Sequence, residues 1–111
     1  MQHTKKSASL LQEKEIASAL GGQIQAGSGG TSHGGGDVHT DNWFIEAKTV
    51  LEKKKSYSIK TDVLNKMKEQ MFEQKKEYAA LAFRFEPTGK DWYVIDKDTF
   101  IYLLSLENKD N

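Results

Sequence analysis

The most chemically loaded stretch of this 111-residue chain is DVHTDNWFIEAK, residues 37–48. Glu46 and Lys48 are two residues apart, and on a β-strand side chains at i and i+2 share a face, so the two stand side by side. Asp37 precedes the turn signal Asp41-Asn42 and can approach Glu46 across a hairpin ladder. Two carboxylates converging on one point repel unless a cation sits between them. Hard Mg²⁺ or Mn²⁺ suits such oxygen donors and leaves coordination positions for water and a phosphate oxygen. A lysine beside that ion can orient an attacking water, help deprotonate it, or stabilise charge developing on phosphorus.

The surrounding charge supports a phosphate track. Residues 47–60 carry Lys48, Lys53, Lys54, Lys55 and Lys60 against Glu52 alone, whereas residues 37–46 carry Asp37, Asp41 and Glu46 and no Lys or Arg. Lys53, Lys54, Lys55 and Lys60 are candidates for DNA phosphate contacts. The totals balance at 16 basic and 16 acidic residues, which argues against a protein that lives by bulk attraction to nucleic acid. The absence of Cys removes disulfides, thiolate zinc sites and a Cys nucleophile together. His33 and His39 lack an H-E-x-x-H context and read as loop or phosphate contacts.

These side chains must be held by a scaffold of one-domain size, residues 1–111. Leu10, Glu13, Ala17 and Leu20 predict one face of a helix ending at Gly21-Gly22. Glu13 lies within that apolar stripe, where a carboxylate needs a partner or a task. A short strand at Gln23–Gln25 follows, then a hairpin of 37–40 and 43–50. Thr61 is read as the N-cap of a helix to about Tyr78, with Val63, Leu64, Met67 and Met71 inward. Strands at 79–85 and 91–95 flank the turn Pro87-Thr88-Gly89, and Asp98 is read as the cap of a helix over 99–106. Residues 107–111 read as a disordered tail. The predicted order is αβββαββα, an α/β fold with helices on a mixed sheet. Trp43, Ile45 and Ala47, opposite Glu46, belong to the core, and Phe83, Phe85, Trp92 and Tyr93 to core or dimer surface.

Eight of nine glycines fall between Gly21 and Gly36. Some twenty residues upstream cannot fold alone, so this stretch reads as a mobile loop within one domain. No apolar run approaches the roughly 18–20 residues that span a bilayer, and Glu13, Lys14 and Glu15 interrupt any signal-peptide core. The expectation is a soluble, cytoplasmic protein without membrane attachment.

Asp37…Glu46-Ala47-Lys48, with a helix before and a hairpin between, resembles the PD-(D/E)XK nuclease core, although Gly36 stands where the motif's name has Pro. Within that superfamily the chain is most similar to the small Holliday-junction resolvases of archaea and phages. The resemblance implies a restriction-endonuclease-like single-domain sheet and a Mg²⁺- or Mn²⁺-dependent endonuclease cutting four-way or branched DNA. It implies metal held by Asp37, Glu46 and the Ala47 carbonyl, with Glu13 (or Glu15) as the helix carboxylate and Lys48 assisting the nucleophile. Ser28, or Ser32, matches the loop serine of that family. Gln70 and Gln74 lie one turn apart on the predicted helix, and Gln74 and Tyr78, which would share a helical face, match a Q-x-x-x-Y pattern that exonuclease-like relatives place near DNA. Two symmetric cuts across a junction imply a homodimer. The competing readings are a nicking or homing-type nuclease, a non-cleaving DNA- or partner-binding domain, and an α/β interaction domain with no nucleic acid.

Overall fold

The computed structural model describes residues 4–25 and 36–110. Helix α1 (Lys5–Leu20) starts at a capping box: the Thr4 hydroxyl accepts from Ser7 N, and the Ser7 hydroxyl accepts from Thr4 N. It stops where Gly21 takes the left-handed conformation at φ 66°, as the glycine pair predicted. Gly22 is required for another reason: a Cβ there would lie 2.7 Å from the His39 carbonyl oxygen. Strand β1 (Gln23–Ile24) can therefore run close against β2 (Gly36–His39).

Strands β3 (Trp43–Lys48), β4 (Tyr78–Arg84) and β5 (Asp91–Val94), with helices α2 (Thr61–Glu73) and α3 (Lys97–Ser105), complete the predicted order. A 3-10 turn, Leu106–Asp110, continues the chain where a disordered tail was expected. The five strands form one mixed sheet in chain order, antiparallel except for β3 and β4, which run parallel across the α2 crossover. Helix α1 packs Ile16 against Val38, Ile45, Ala47, Ala80 and Ala82 on one face. Helix α2 packs Met67 and Met71 against Phe44, Ala79 and Leu81 on the other. Among the described residues no helix is long and apolar enough to cross a membrane.

Three expectations about elements are corrected. The buried side of α1 is Ala8, Ser9, Gln12 and Ile16, while Leu10 and Leu20 are exposed. The stripe was misread because the helix buries Gln12 and Ser9 through hydrogen bonds, which hydrophobic periodicity does not register. Helix α2 ends at Glu73, five residues before Tyr78, and Thr61 is its first residue while Lys60 holds the cap position. Its end is a Schellman closure, with Lys76 N donating to Met71 O and Lys75 N to Phe72 O. Lys75 occupies the left-handed position at φ 57°, so no glycine marks the stop. Helix α3 begins two residues early because Asp96, and not Asp98, accepts from Thr99 N at 2.8 Å.

Candidate active site

The β2–β3 register places Asp37 directly opposite Glu46, as the hairpin reading expected. The turn sets that register. Thr40 N donates to Trp43 O and Trp43 N donates back to the Thr40 hydroxyl, both at 3.0 Å. On β3 the alternation is clean: Ile45 and Ala47 are buried under α1, while Glu46 and Lys48 point to the α2 side of the sheet. Lys48 Nζ lies 3.7 Å from Glu46 Oε2, a pair whose carboxylate side chain is only 12% exposed. Asp37, Glu46 and Lys48 thus converge, and Ala47 between them contributes only its backbone to this side.

The electrostatics are those of a like-charge pair under partial burial. Asp37 is pushed up to about 7, first by burial, then by the Glu46 charge and a hydrogen bond between the two carboxyls, with a smaller push from Glu13. Glu46 is also raised by burial, against the opposing pull of Lys48 and of Lys66 on α2. Of the two helix carboxylates, Glu13 is the one whose charge reaches Asp37, and its Oε2 accepts from the Ser9 hydroxyl at 2.9 Å. Glu15 is engaged elsewhere, 3.0 Å from the buried Arg84 guanidinium. Among the described residues no three His, Asp or Glu side chains form a ready-made metal cage; the convergent acidic unit is the Asp37–Glu46 pair.

A buried network fixes the end of β3. Gln12 Nε2 donates to the Lys48 carbonyl at 3.0 Å and to Asp91 Oδ1 at 2.9 Å. Asp91 is in turn gripped by Arg84 through Nε and Nη2 at 2.9 and 2.7 Å. Helix α1 therefore holds the backbone of the lysine whose side chain enters the site.

Two residues near the carboxylates escaped the sequence reading. Tyr57 stacks on Phe83 with ring centroids 4.3 Å apart and planes 8° apart, and its hydroxyl is raised by burial and by Glu46. Lys66 reaches Glu46 from α2. No motif spacing marks either; only the packing of the 49–60 loop and α2 over β3 brings them in. Lys53, Lys54, Lys55 and Lys60 are exposed on that same loop, which Lys54 N ties to Phe85 O at 2.8 Å.

Gln70 lies on α2 one turn after Lys66, and its Oε1 is buried without a hydrogen-bond partner among the described residues. Gln74 is the C-cap of α2 and Tyr78 opens β4, so the expected shared helical face of these two does not exist. His39 pairs with Phe44 at the far end of β2. Ser28, Ser32 and His33, with most of the Gly-rich loop, lie outside the described residues. No protein-family model, no curated protein and no solved structure matches the chain.

Proposed function

We propose that this chain is a metal-dependent DNA endonuclease of restriction-endonuclease-like fold, selective for four-way or branched junctions. The observation that supports it is the direct opposition of Asp37 and Glu46, Asp37 raised by burial and by the Glu46 charge and Glu46 raised by burial, with Lys48 3.7 Å from Glu46. A fold retains such a costly pair where its charge has a use.

The donor set fits Mg²⁺ or Mn²⁺, because the two groups that converge are carboxylates, hard oxygen donors. Asp37, Glu46 and the Ala47 carbonyl would hold the ion, with Glu13 acting through water. Such an ion, when bound, supplies Lewis-acid polarisation of a phosphate oxygen and a water acidified toward neutral pH. Lys48 donates to a non-bridging phosphate oxygen and stabilises the negative charge that grows there as the water oxygen attacks phosphorus and one P–O ester bond breaks. Lys66 and the lysines of the 49–60 loop hold flanking phosphates. Two symmetric cuts across a junction need two such sites about a two-fold axis, so the enzyme acts as a homodimer.

The test is cleavage of four-way junction, flap and linear duplex in Mg²⁺ and Mn²⁺. Native chain should cut the junction preferentially. Lys48→Ala should slow cleavage by about 10²–10³-fold while leaving junction binding in Ca²⁺ intact. A second reading, a DNA-binding domain that does not cut, is favoured by the missing third acidic ligand among the described residues. Junction retention in Ca²⁺ with no product in either catalytic metal would select it.

A further inference from the structure

Helix α3 carries five consecutive apolar residues, 100–104, enough to go once round the helix, yet it buries almost nothing. Of its nine residues only Thr99 is buried, while Phe100, Ile101, Tyr102, Leu103 and Leu104 are 39–56% exposed. A helix hydrophobic all round belongs in an interior. Its main seat is a stack of Tyr102 on Tyr78, with ring centroids 5.3 Å apart. Between α3, the end of α1 and the β3–β5 part of the sheet remains an apolar cavity of about 450 Å³, lined by Leu20, Trp43, Ile45, Tyr93 and Leu103 among others. Strand β5 beside it is one of the two edge strands of the sheet among the described residues.

We infer that this α3 face is the surface on which a second copy of the chain docks. The area argues for a whole protein surface as occupant. Aromatic side chains offer about 150–250 Å² each, so Tyr93, Phe100 and Tyr102 leave roughly 200–350 Å² of ring in water. The aliphatic side chains of Leu20, Ile101, Leu103, Leu104 and Leu106 raise the face to on the order of 600 Å². That is at or above the largest patch a monomer usually carries, and it matches the apolar share of a standard interface burying about 800 Å² per partner.

The shape argues for self-association. A two-fold interface needs projection and recess on one surface, because each copy supplies both. Here Phe100 and Leu104 are exposed on the helix whose Leu103 lines the cavity, so one surface carries both projection and recess. The charges at the two ends of the helix, Lys97 and Asp98 against Glu107, are mixed in sign and carry no basic cluster for nucleic acid or an anionic lipid surface. The face lies on the α1 side of the sheet, opposite the Asp37–Glu46–Lys48 side, so pairing leaves both candidate sites open. This surface exists whatever the chain's chemistry, and its test uses no cleavage.

Sedimentation equilibrium and light scattering of the full chain from about 1 to 100 µM should show a dimer. Phe100→Asp with Leu104→Asp should shift it to monomer with unchanged circular dichroism, since both side chains are exposed in the protomer. If that variant fails to fold, the milder Phe100→Ser and Ile101→Gln variants carry the comparison, with the concentration dependence of Tm as a second readout. A native chain that stays monomeric at 100 µM overturns the inference, as does a dimer that all these variants leave intact. Monomeric chain co-floating with neutral phosphatidylcholine vesicles also overturns it, in favour of a lipid surface.

Discussion

Asp37 is the residue whose protonation should be felt by the whole fold. In an unfolded chain it titrates near 3.8, and in the folded protein burial and Glu46 push it up to about 7. The folded state therefore holds a proton that the unfolded state has released. Its contribution is favourable below pH 3.8 and is lost as pH rises through 7. Asp37→Asn keeps a donor toward Glu46 and removes the repulsion. At pH 8 without metal it should stabilise by about 1 kcal/mol after solvent screening, a Tm rise of roughly 4–8 °C. Millimolar Mg²⁺ should raise the Tm of the native chain and leave the variant's unchanged. A native Tm indifferent to Mg²⁺ and Mn²⁺ would remove the metal from the proposal.

At the level of elements, the clamp from α1 to the end of β3 is the device that ties scaffold to chemistry. Gln12→Leu deletes the donor to the Lys48 carbonyl and leaves Asp91 with Arg84 alone. It should lower stability by about 1–3 kcal/mol and slow cleavage more than it weakens junction binding, measurable by melting, turnover and gel shift in Ca²⁺. This clamp was illegible beforehand because a fully buried Gln looks like a surface residue in any hydropathy pattern. The same blindness displaced the α1 stripe. Strand and turn chemistry was easier to read: Thr40–Asn42 and Pro87–Gly89 announce themselves, and with them the pairing of Asp37 and Glu46. Helix ends were legible only where a glycine stood, as at Gly21 and not at Lys75. Asp98 reads as the cap of the last helix, and it is the hydrogen bond from Thr99 N that puts the cap at Asp96.

Over the whole molecule the formal charge is zero, but its arrangement is not neutral. The exposed lysines of the 49–60 loop share the α2 side of the sheet with Lys48 through the Tyr57–Phe83 stack. DNA binding in Ca²⁺ should lose affinity with salt at a log–log slope of roughly 3–4 if four of these lysines meet phosphates. Replacing Lys53, Lys54 and Lys55 by Ala should reduce that slope by about 3 while leaving Tm unchanged. An unchanged slope would move the DNA track off this loop. The element order was legible because periodicity and turns alternate clearly; the use of both sheet faces was less so. Phe44 and Glu46 alternate with Ile45 and Ala47, but nothing local reveals that α2 returns to cover Phe44 while α3 stays uncovered.

The three-residue connection between β2 and β3 carries a consequence for how this sequence can drift. Side chains on a strand swap faces with each single-residue shift, so a hairpin paired one step out of place would carry Asp37 away from Glu46 and bring Val38 toward it. Amino-acid replacements within Thr40–Asn42 change the turn's comfort, whereas a gain or loss of one codon there re-addresses both strands. Lineages of this protein are therefore expected to vary in the letters of that turn and to hold its length constant, with insertions and deletions gathering instead in segments that do not set the Asp37–Glu46 pairing.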